Sequence, residues 1–238
     1  MRTGSTPPEI PAREAFRPSV HGLRFVNRFS GSPLPDALRG SSLARGKVVP
    51  AEFGLCGGMS LLVADYYLAG QRPPDDTTPP APGTPLYDAI AARQLESFGE
   101  GGVMVLAFRR WMSLPDDGGA DEESTASLTR AELAGILRRL DRGELVPLGL
   151  VYVRSRTNSR APQSRVGVLW QNHQVLAYGY EPGEAGVRVR VYDPNYPGDD
   201  GVVIAPAQGV WERRTGTGKV TRVRGFFPMP YEARPAGG

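Results

Sequence analysis

The sequence predicts an α+β fold, in which a helical half precedes an antiparallel β-sheet. The first observation is a change of hydrophobic period, from helical spacing before residue 143 to strand spacing after it. The second is the run over 56–69, which is apolar on nearly every face. Such a run is typical of a helix in the middle of a core. We therefore expect one buried central helix packed against the sheet.

The 238 residues suffice for one domain with a substantial core. Residues 1–18 are rich in Pro, Ser, Thr and Glu, and we expect a disordered N-terminal arm there. We expect residues 19–238 to form a single domain, with a helical lobe over about 52–143 and a sheet lobe over about 144–230.

Helices are predicted over 56–69, 86–98 and 103–112, and a fourth begins at Thr129. Thr129 and Glu132 have the spacing of a capping box, in which each side chain bonds the other residue's backbone N–H. Glycines end two of these helices, Gly70 after the first and Gly143 after the last.

Strands are predicted at seven places, separated by turn residues: 21–29, 145–153, 166–170, 173–180, 187–193, 202–204 and 220–227. Along 187–193 alternate side chains share a face, so Asp193 extends a row of three valines. An aspartate on a buried face is costly unless it has a polar partner. His173, on the preceding strand of the hairpin, is the natural partner. The alternative is that Asp193 only forms a turn, since turn residues follow it.

Composition excludes several classes of function. The net charge of +3 is too small to indicate nucleic-acid binding, and we expect the arginines of 1–50 and 213–224 to cover solvated faces. No stretch approaches the roughly 20 apolar residues of a membrane-spanning helix. The N-terminus does not read as a secretory signal. A single cysteine allows no intrachain disulfide, so we expect a cytoplasmic protein.

The cysteine, Cys56, stands at the start of the predicted central helix. Thiolate is the nucleophilic form, and a helix N-terminus favours a negative sulfur. Gly57 and Gly58 are poor helix formers, and close approach of a substrate backbone would explain them. The alternative is that Cys56 is a small core residue, as free cysteines usually are.

A histidine must take the thiol proton and return it to the leaving group. His173 heads an apolar strand and could project into a cleft, although it could equally be structural. His21, the other histidine, lies beside the presumed arm. The acidic turn formed by Asp193, Asn195, Asp199 and Asp200 does not have EF-hand spacing, so no metal site is predicted.

Three segments resemble papain-like cysteine peptidases, and most of all the peptidase domains that process double-glycine leaders in bacteriocin transporters. The segments are 55–59, with Cys56-Gly57 at a helix start, 173–179, with His173 before an apolar strand, and 189–194, a strand ending in Asp193-Pro194. The resemblance implies a papain-like fold whose central helix carries the cysteine. It also implies that Cys56 is the nucleophile, His173 the general base and acid, and Asp193 the orienting acid.

One feature departs from that family. Such peptidases place a glutamine shortly before the cysteine as an oxyanion donor, whereas no glutamine precedes Cys56 here. Asn27 is the only carboxamide upstream of Cys56. Asn27, Asn172 and Asn195 are our candidates for donating to the oxyanion or orienting the histidine. The loops 73–85 and 116–127 are candidates for a rim or lid.

We therefore expect a cysteine hydrolase, a peptidase or amidase, that forms a thioester at Cys56 and needs no cofactor or metal. Its substrate would be a peptide or amide in the cleft between the lobes, and neither nucleic acid nor membrane is an expected partner. One alternative is an inactive papain-fold binding module with Cys56 packed inside. Another is a transglutaminase-like or deamidating acyl transferase, which uses the same triad.

Overall fold

The computed structural model describes residues 14–30, 52–118, 122–154 and 169–235. Over these ranges the fold is α+β, as the sequence predicts. Five α-helices are described: α1 (Pro18–His21), α2 (Cys56–Leu68), α3 (Pro85–Glu96), α4 (Val103–Ser113) and α5 (Thr125–Asp141). A single 3-10 turn (Glu100–Gly102) leads into α4.

A pair of two-residue strands, β1 (Phe29–Ser30) and β2 (Glu52–Phe53), precedes α2. The other described strands follow α5 and form one antiparallel sheet in the order β8-β7-β6-β5-β4-β3-β9. They are β3 (Val146–Val151), β4 (His173–Gly183), β5 (Gly186–Tyr192), β6 (Val203–Ala207), β7 (Val210–Arg214), β8 (Val220–Val223) and β9 (Gly225–Pro228).

The sheet curls back on itself. Strands β8 and β9 form its two edges, yet only Arg224 separates them along the chain. Consecutive Cα atoms are about 3.8 Å apart, so the two edges must lie close together. Arg224 is buried there, where its guanidinium donates to the carbonyls of Leu114 and Val153 at 2.7 and 2.8 Å.

Helix α2 is the central helix that the sequence predicts. Residues 57–65 are all buried, and Met59, Val63 and Ala64 have no exposed surface. Its apolar residues pack with Leu176 of β4, Tyr192 of β5 and Ile90 of α3. Buried on several sides, α2 is a rigid platform for the residue at its first position, Cys56.

The opposite face of the sheet packs against α5 through Ile136 and Leu140. Val187, Val189 and Val191 lie on this face, so the predicted row along β5 is correct. A third cluster joins α4 to Val151 and Phe227. Helices therefore cover the sheet on both faces, as a curled sheet with buried strands requires.

Several predicted boundaries are corrected. Residues 18–21 are helical, and of the predicted strand 21–29 only Phe29 is in a strand, the first residue of β1. Helix α5 begins at Thr125, capped by Ser124 and Ser127 instead of Thr129 and Glu132. In the predicted arm, residues 14–18 are described, and Phe16 and Pro18 are buried. The rest of the arm and most of the strand predicted at 166–170 lie outside the described residues.

No helix of the described ranges combines the length and the apolar character that a membrane span requires.

Candidate functional site

The three residues predicted to form a triad are brought together by α2, β4 and β5. Cys56 is the first residue of α2 and is half-buried, unlike the fully buried residues that follow it in the helix. His173 is the first residue of β4, and Asp193 directly follows β5. Because β4 and β5 pair antiparallel, with Leu176 opposite Tyr192, His173 and Asp193 meet at one end of the hairpin.

His173 and Asp193 form a buried hydrogen-bonded pair. The imidazole Nε2 lies 2.7 Å from Asp193 Oδ1, and the side chains are 6% and 0% exposed. Burial alone would lower the pKa of His173, but the charges of Asp193 and Cys56, and hydrogen bonds to both, raise it to about 10. The imidazolium form is therefore strongly favoured when both neighbours are anionic.

Cys56 is one of the groups that raise the pKa of His173, which places the cysteine near the imidazole. Because Asp193 occupies Nε2, the ring nitrogen left for the thiol is Nδ1. A proton carried by Nε2 would leave the Nδ1 lone pair facing the sulfur, which is the tautomer that a general base needs. His173 thus lies between Cys56 and Asp193, the order that a nucleophile, a base and an orienting acid would need.

Asp193 is held by more than the histidine. Its Oδ1 also accepts the Asn195 backbone N–H at 2.9 Å, and its Oδ2 accepts Arg213 Nη1 at 2.7 Å. Burial opposes ionisation, but His173, Arg213 and the Asn195 N–H together lower the pKa of Asp193. The carboxylate is therefore charged and has both oxygens engaged.

Arg213 is a charged residue of this site that the sequence does not predict. Its sequence neighbours indicate a solvated basic face, yet only 5% of it is exposed. It lies on β7 opposite Ile204 of β6, on the buried face of the sheet. Alternation of Trp211 and Arg213 along a short strand was the available signal, but two adjacent charged residues obscured it.

Asn27 contacts the residue that precedes Cys56. Its Oδ1 accepts the Leu55 backbone N–H at 2.6 Å, and its Nδ2 donates to Asn195 Oδ1 at 3.2 Å. Asn195 Nδ2 in turn lies 3.4 Å from His173 Nε2. These two carboxamides therefore connect the segment before Cys56 to the histidine and the acid.

Asn172 has a different position. Its Oδ1 accepts the Tyr152 backbone N–H at 3.0 Å, and its Nδ2 donates to the Leu169 carbonyl and to Met112 sulfur. These contacts hold the turn that leads into β4. The structure thus places Asn172 behind His173, while Asn27 and Asn195 lie at the site.

Tyr152 lies over the histidine and the arginine. Its ring is nearly parallel to that of His173, at 6.5 Å between centroids, and the Arg213 guanidinium carbon lies 5.7 Å from its centroid. Burial raises the pKa of Tyr152, and its hydroxyl is buried with no partner among the described residues. The buried ring is thus part of the surroundings of both His173 and Arg213.

Gly57 and Gly58 are buried where neighbouring elements approach α2. A Cβ on Gly58 would lie 2.0 Å from the Ile90 carbonyl oxygen of α3, and one on Gly57 would lie 2.3 Å from Gln174 Oε1. Close packing thus accounts for both glycines. The role that we expected for them in substrate approach stays a prediction.

Phe98 and Trp170 each lie close along the chain to residues near the site. Ser97, whose hydroxyl lies 2.4 Å from a Cβ built on Gly57, places Phe98 beside the start of α2. Trp170 lies three residues before His173 and is 54% exposed. The two rings meet edge to face at 6.4 Å. The ring pair therefore links the segment after α3 to the turn before β4.

The remaining candidates serve other purposes. His21 stacks on Phe16, and its Nδ1 accepts the Arg17 backbone N–H at 3.0 Å. Asp199 accepts the N–H groups of Gly201 and Gly216, and Asp200 accepts from Ser19. Across the described ranges, His, Cys, Asp and Glu form no group of three that could hold a metal ion.

The predicted rim loops are also partly anchored. Asp116 pairs with Arg222 and Arg224 at 3.0 and 2.6 Å, and residues 119–121 of that loop lie outside the described ranges. In the other loop, Asp75 pairs with Arg24 at 3.2 Å. A function of either loop as a lid stays a prediction.

Chemically, the arrangement can activate a half-buried thiol by a histidine whose second nitrogen is held by a carboxylate. No known protein family, curated protein or solved structure matches the chain.

Proposed function

We propose that the chain is a papain-like cysteine hydrolase, a peptidase or amidase, with Cys56 as nucleophile. The observation that carries the proposal is the line from Cys56 through His173 to Asp193. A helix that begins at the cysteine and packs against an antiparallel sheet also supports the papain-like assignment. A cysteine that is half-buried and near enough to a histidine to shift its pKa argues against a purely structural thiol.

In the first half of the reaction, His173 Nδ1 takes the Cys56 proton and the thiolate sulfur bonds to the carbonyl carbon. The carbonyl π-electrons move to oxygen and form a tetrahedral oxyanion. When the oxyanion collapses, the carbon–nitrogen bond breaks and His173 gives its proton to the leaving amine. The product that stays on the enzyme is a thioester.

In the second half, His173 takes a proton from water and the resulting hydroxide attacks the thioester carbon. Collapse expels the Cys56 thiolate, which regains the proton from His173, and the carboxylic acid leaves. Asp193 keeps the imidazole in the right tautomer throughout and stabilises the imidazolium.

The oxyanion needs donors in place of the missing glutamine. The Cys56 backbone N–H, at the start of α2, is one candidate because helix N-termini carry unpaired N–H groups. Asn27 Nδ2 is the other, since its carboxamide already bonds the residue before Cys56. The acyl substrate would lie between the helical and sheet sides, against Phe98 and Trp170.

The test is acylation by a p-nitrophenyl ester, followed by nitrophenolate release and by intact mass. We expect a burst of nitrophenolate and an acyl group on Cys56, both lost in Cys56→Ala. Absence of any acyl-enzyme in the folded wild type would favour the binding-module alternative. Adding a primary amine separates the other alternative, because an acyl transferase would give mainly the amide product.

A further inference from the structure

Arg213 is a buried cation in contact with the proposed triad. Its guanidinium donates from Nη1 to Asp193 Oδ2 at 2.7 Å, and its side chain is 6% exposed. Burying a cation costs several kcal/mol unless it is paired and hydrogen-bonded. The ion pair with Asp193 offsets this cost and places Arg213 directly behind the acid proposed to orient His173.

The surroundings fix the guanidinium in place. The rings of Tyr152 and Tyr196 lie 5.7 and 5.0 Å from its carbon, and Nη2 donates to Thr221 Oγ1 at 3.2 Å. The Tyr196 hydroxyl lies 3.5 Å from Nη2, and Lys219 lies over the same tyrosine ring. The charged and titratable groups around Arg213 are thus Asp193, Tyr152, Tyr196 and Lys219, with His173 and Cys56 beyond the aspartate.

Counting charges shows what Arg213 contributes. In the ion-pair state the site holds the Cys56 thiolate, the His173 imidazolium and the Asp193 carboxylate, which sum to −1. Arg213 brings the sum to zero. A buried cluster with an uncompensated negative charge disfavours another anion, so removing Arg213 would make the thiolate harder to form.

We propose that Arg213 is a positioning residue of the reaction, which balances the charge of Asp193 and directs its Oδ1 to His173. This inference rests on the proposed function. Arg213 contacts Asp193, so it influences the thiol through that carboxylate and through the net charge of the site. It extends the triad to a line of four residues: Cys56, His173, Asp193 and Arg213.

The test compares two substitutions that keep a hydrogen-bond donor but differ in charge, Arg213→Lys and Arg213→Gln. The readout is the rate of Cys56 alkylation by iodoacetamide against pH, in the full-length protein. We expect Arg213→Gln to move the acid limb of the profile to higher pH by about one unit, the scale of a lost nearby charge. Arg213→Lys should restore most of the shift.

A purely structural arginine would lower stability in both variants without moving the limb, and that result would overturn the proposal. If Arg213→Gln does not fold, the Tyr196→Leu variant replaces it. Loss of the Tyr196 ring opens one face of the Arg213 guanidinium to water, which screens the effect of its charge on Asp193. The limb should then move in the same direction by less, and an unmoved limb would again overturn the proposal. The wild-type profile tests the proposed function separately, since it must show a histidine-dependent thiolate before either variant is made.

Discussion

The side-chain oxygen of Asn27 accepts the Leu55 backbone N–H at 2.6 Å, which fixes the residue before Cys56. The Asn27 backbone N–H donates to the Pro194 carbonyl at 3.0 Å, next to Asp193. One residue thus joins the segment carrying the nucleophile to the segment carrying the acid. This is the position from which a carboxamide could also serve an oxyanion.

Asn27→Ala should slow acylation by the nitrophenyl ester about 10²-fold, the typical loss when an oxyanion donor is removed. Alkylation of Cys56 by iodoacetamide should change little, because substitution at a saturated carbon forms no oxyanion. Asn172→Ala is the matched control, since its carboxamide contacts Tyr152 and not the nucleophile's segment. An equal fall in both reactions would mean that Asn27 only places Cys56.

The His173 imidazolium should make the free energy of unfolding decrease as the pH rises. Its folded-state pKa of about 10 lies above the ordinary value of 6.5. The stabilisation of the fold by charged His173 is therefore complete below pH 6.5 and is lost as the pH rises toward about 10. The free energy of unfolding of wild type minus that of His173→Gln should fall by at most about 1.4 kcal/mol per pH unit over this range.

His21→Gln supplies the control for that measurement by urea denaturation. Burial lowers the pKa of His21, so its effect has the opposite sign and destabilises the fold as the pH falls. A stability difference between wild type and His173→Gln that stays constant from pH 6 to pH 10 would contradict the assigned ion pair.

Gly58→Ala should destabilise the fold by about 1–3 kcal/mol, because the new methyl group would overlap the Ile90 carbonyl on α3. Gly57→Ala should cost less, since the atoms it meets belong to the Gln174 and Ser97 side chains, which can move. Gly135→Ala on α5 is the control, because its nearest atom is 3.8 Å away, and it should stabilise by about 0.5–1 kcal/mol. Urea denaturation measures all three, and equal losses at the three positions would contradict the packing account.

Trp170→Ala should reduce the advantage of an apolar reagent over a small one. We expect N-benzyl iodoacetamide to alkylate wild-type Cys56 faster than iodoacetamide does, because its ring can pack on Phe98 and Trp170. The rate ratio should fall toward one in Trp170→Ala. Tyr180→Ala is the control, an exposed aromatic on β4 seven residues beyond His173. An unchanged ratio in Trp170→Ala would place the apolar contact elsewhere.

The parts of the fold that the sequence revealed are those with long, regular patterns. The all-apolar run of α2 and the alternating valines of β5 each bury one recognisable set of side chains, and both elements lie where we expected them. The pairing of His173 with Asp193 follows from the hairpin, because a buried carboxylate at the end of an apolar row needs a partner.

The predictions from sequence are wrong where tertiary contacts outweigh local signals. Thr129 resembles a cap in sequence, but its hydroxyl donates to the Thr125 carbonyl inside α5 and accepts the Phe226 N–H of β9. Arg213 resembles a surface arginine in the sequence. Its partner Asp193 stands 20 residues earlier in the chain, and no local pattern reveals that their side chains lie 2.7 Å apart. Such a pair depends on strand order, which one sequence does not specify.

The central claim is that His173 activates Cys56, and the rate of iodoacetamide alkylation against pH tests it most directly. The chain has one cysteine, so every label reports Cys56. Wild type should react well below pH 8.5, where a free thiol ionises, and His173→Ala should lose this reactivity while His21→Gln keeps it. Asp193→Ala should fall between them. A thiol that stays inert until the protein unfolds, or that ignores His173, would contradict the account.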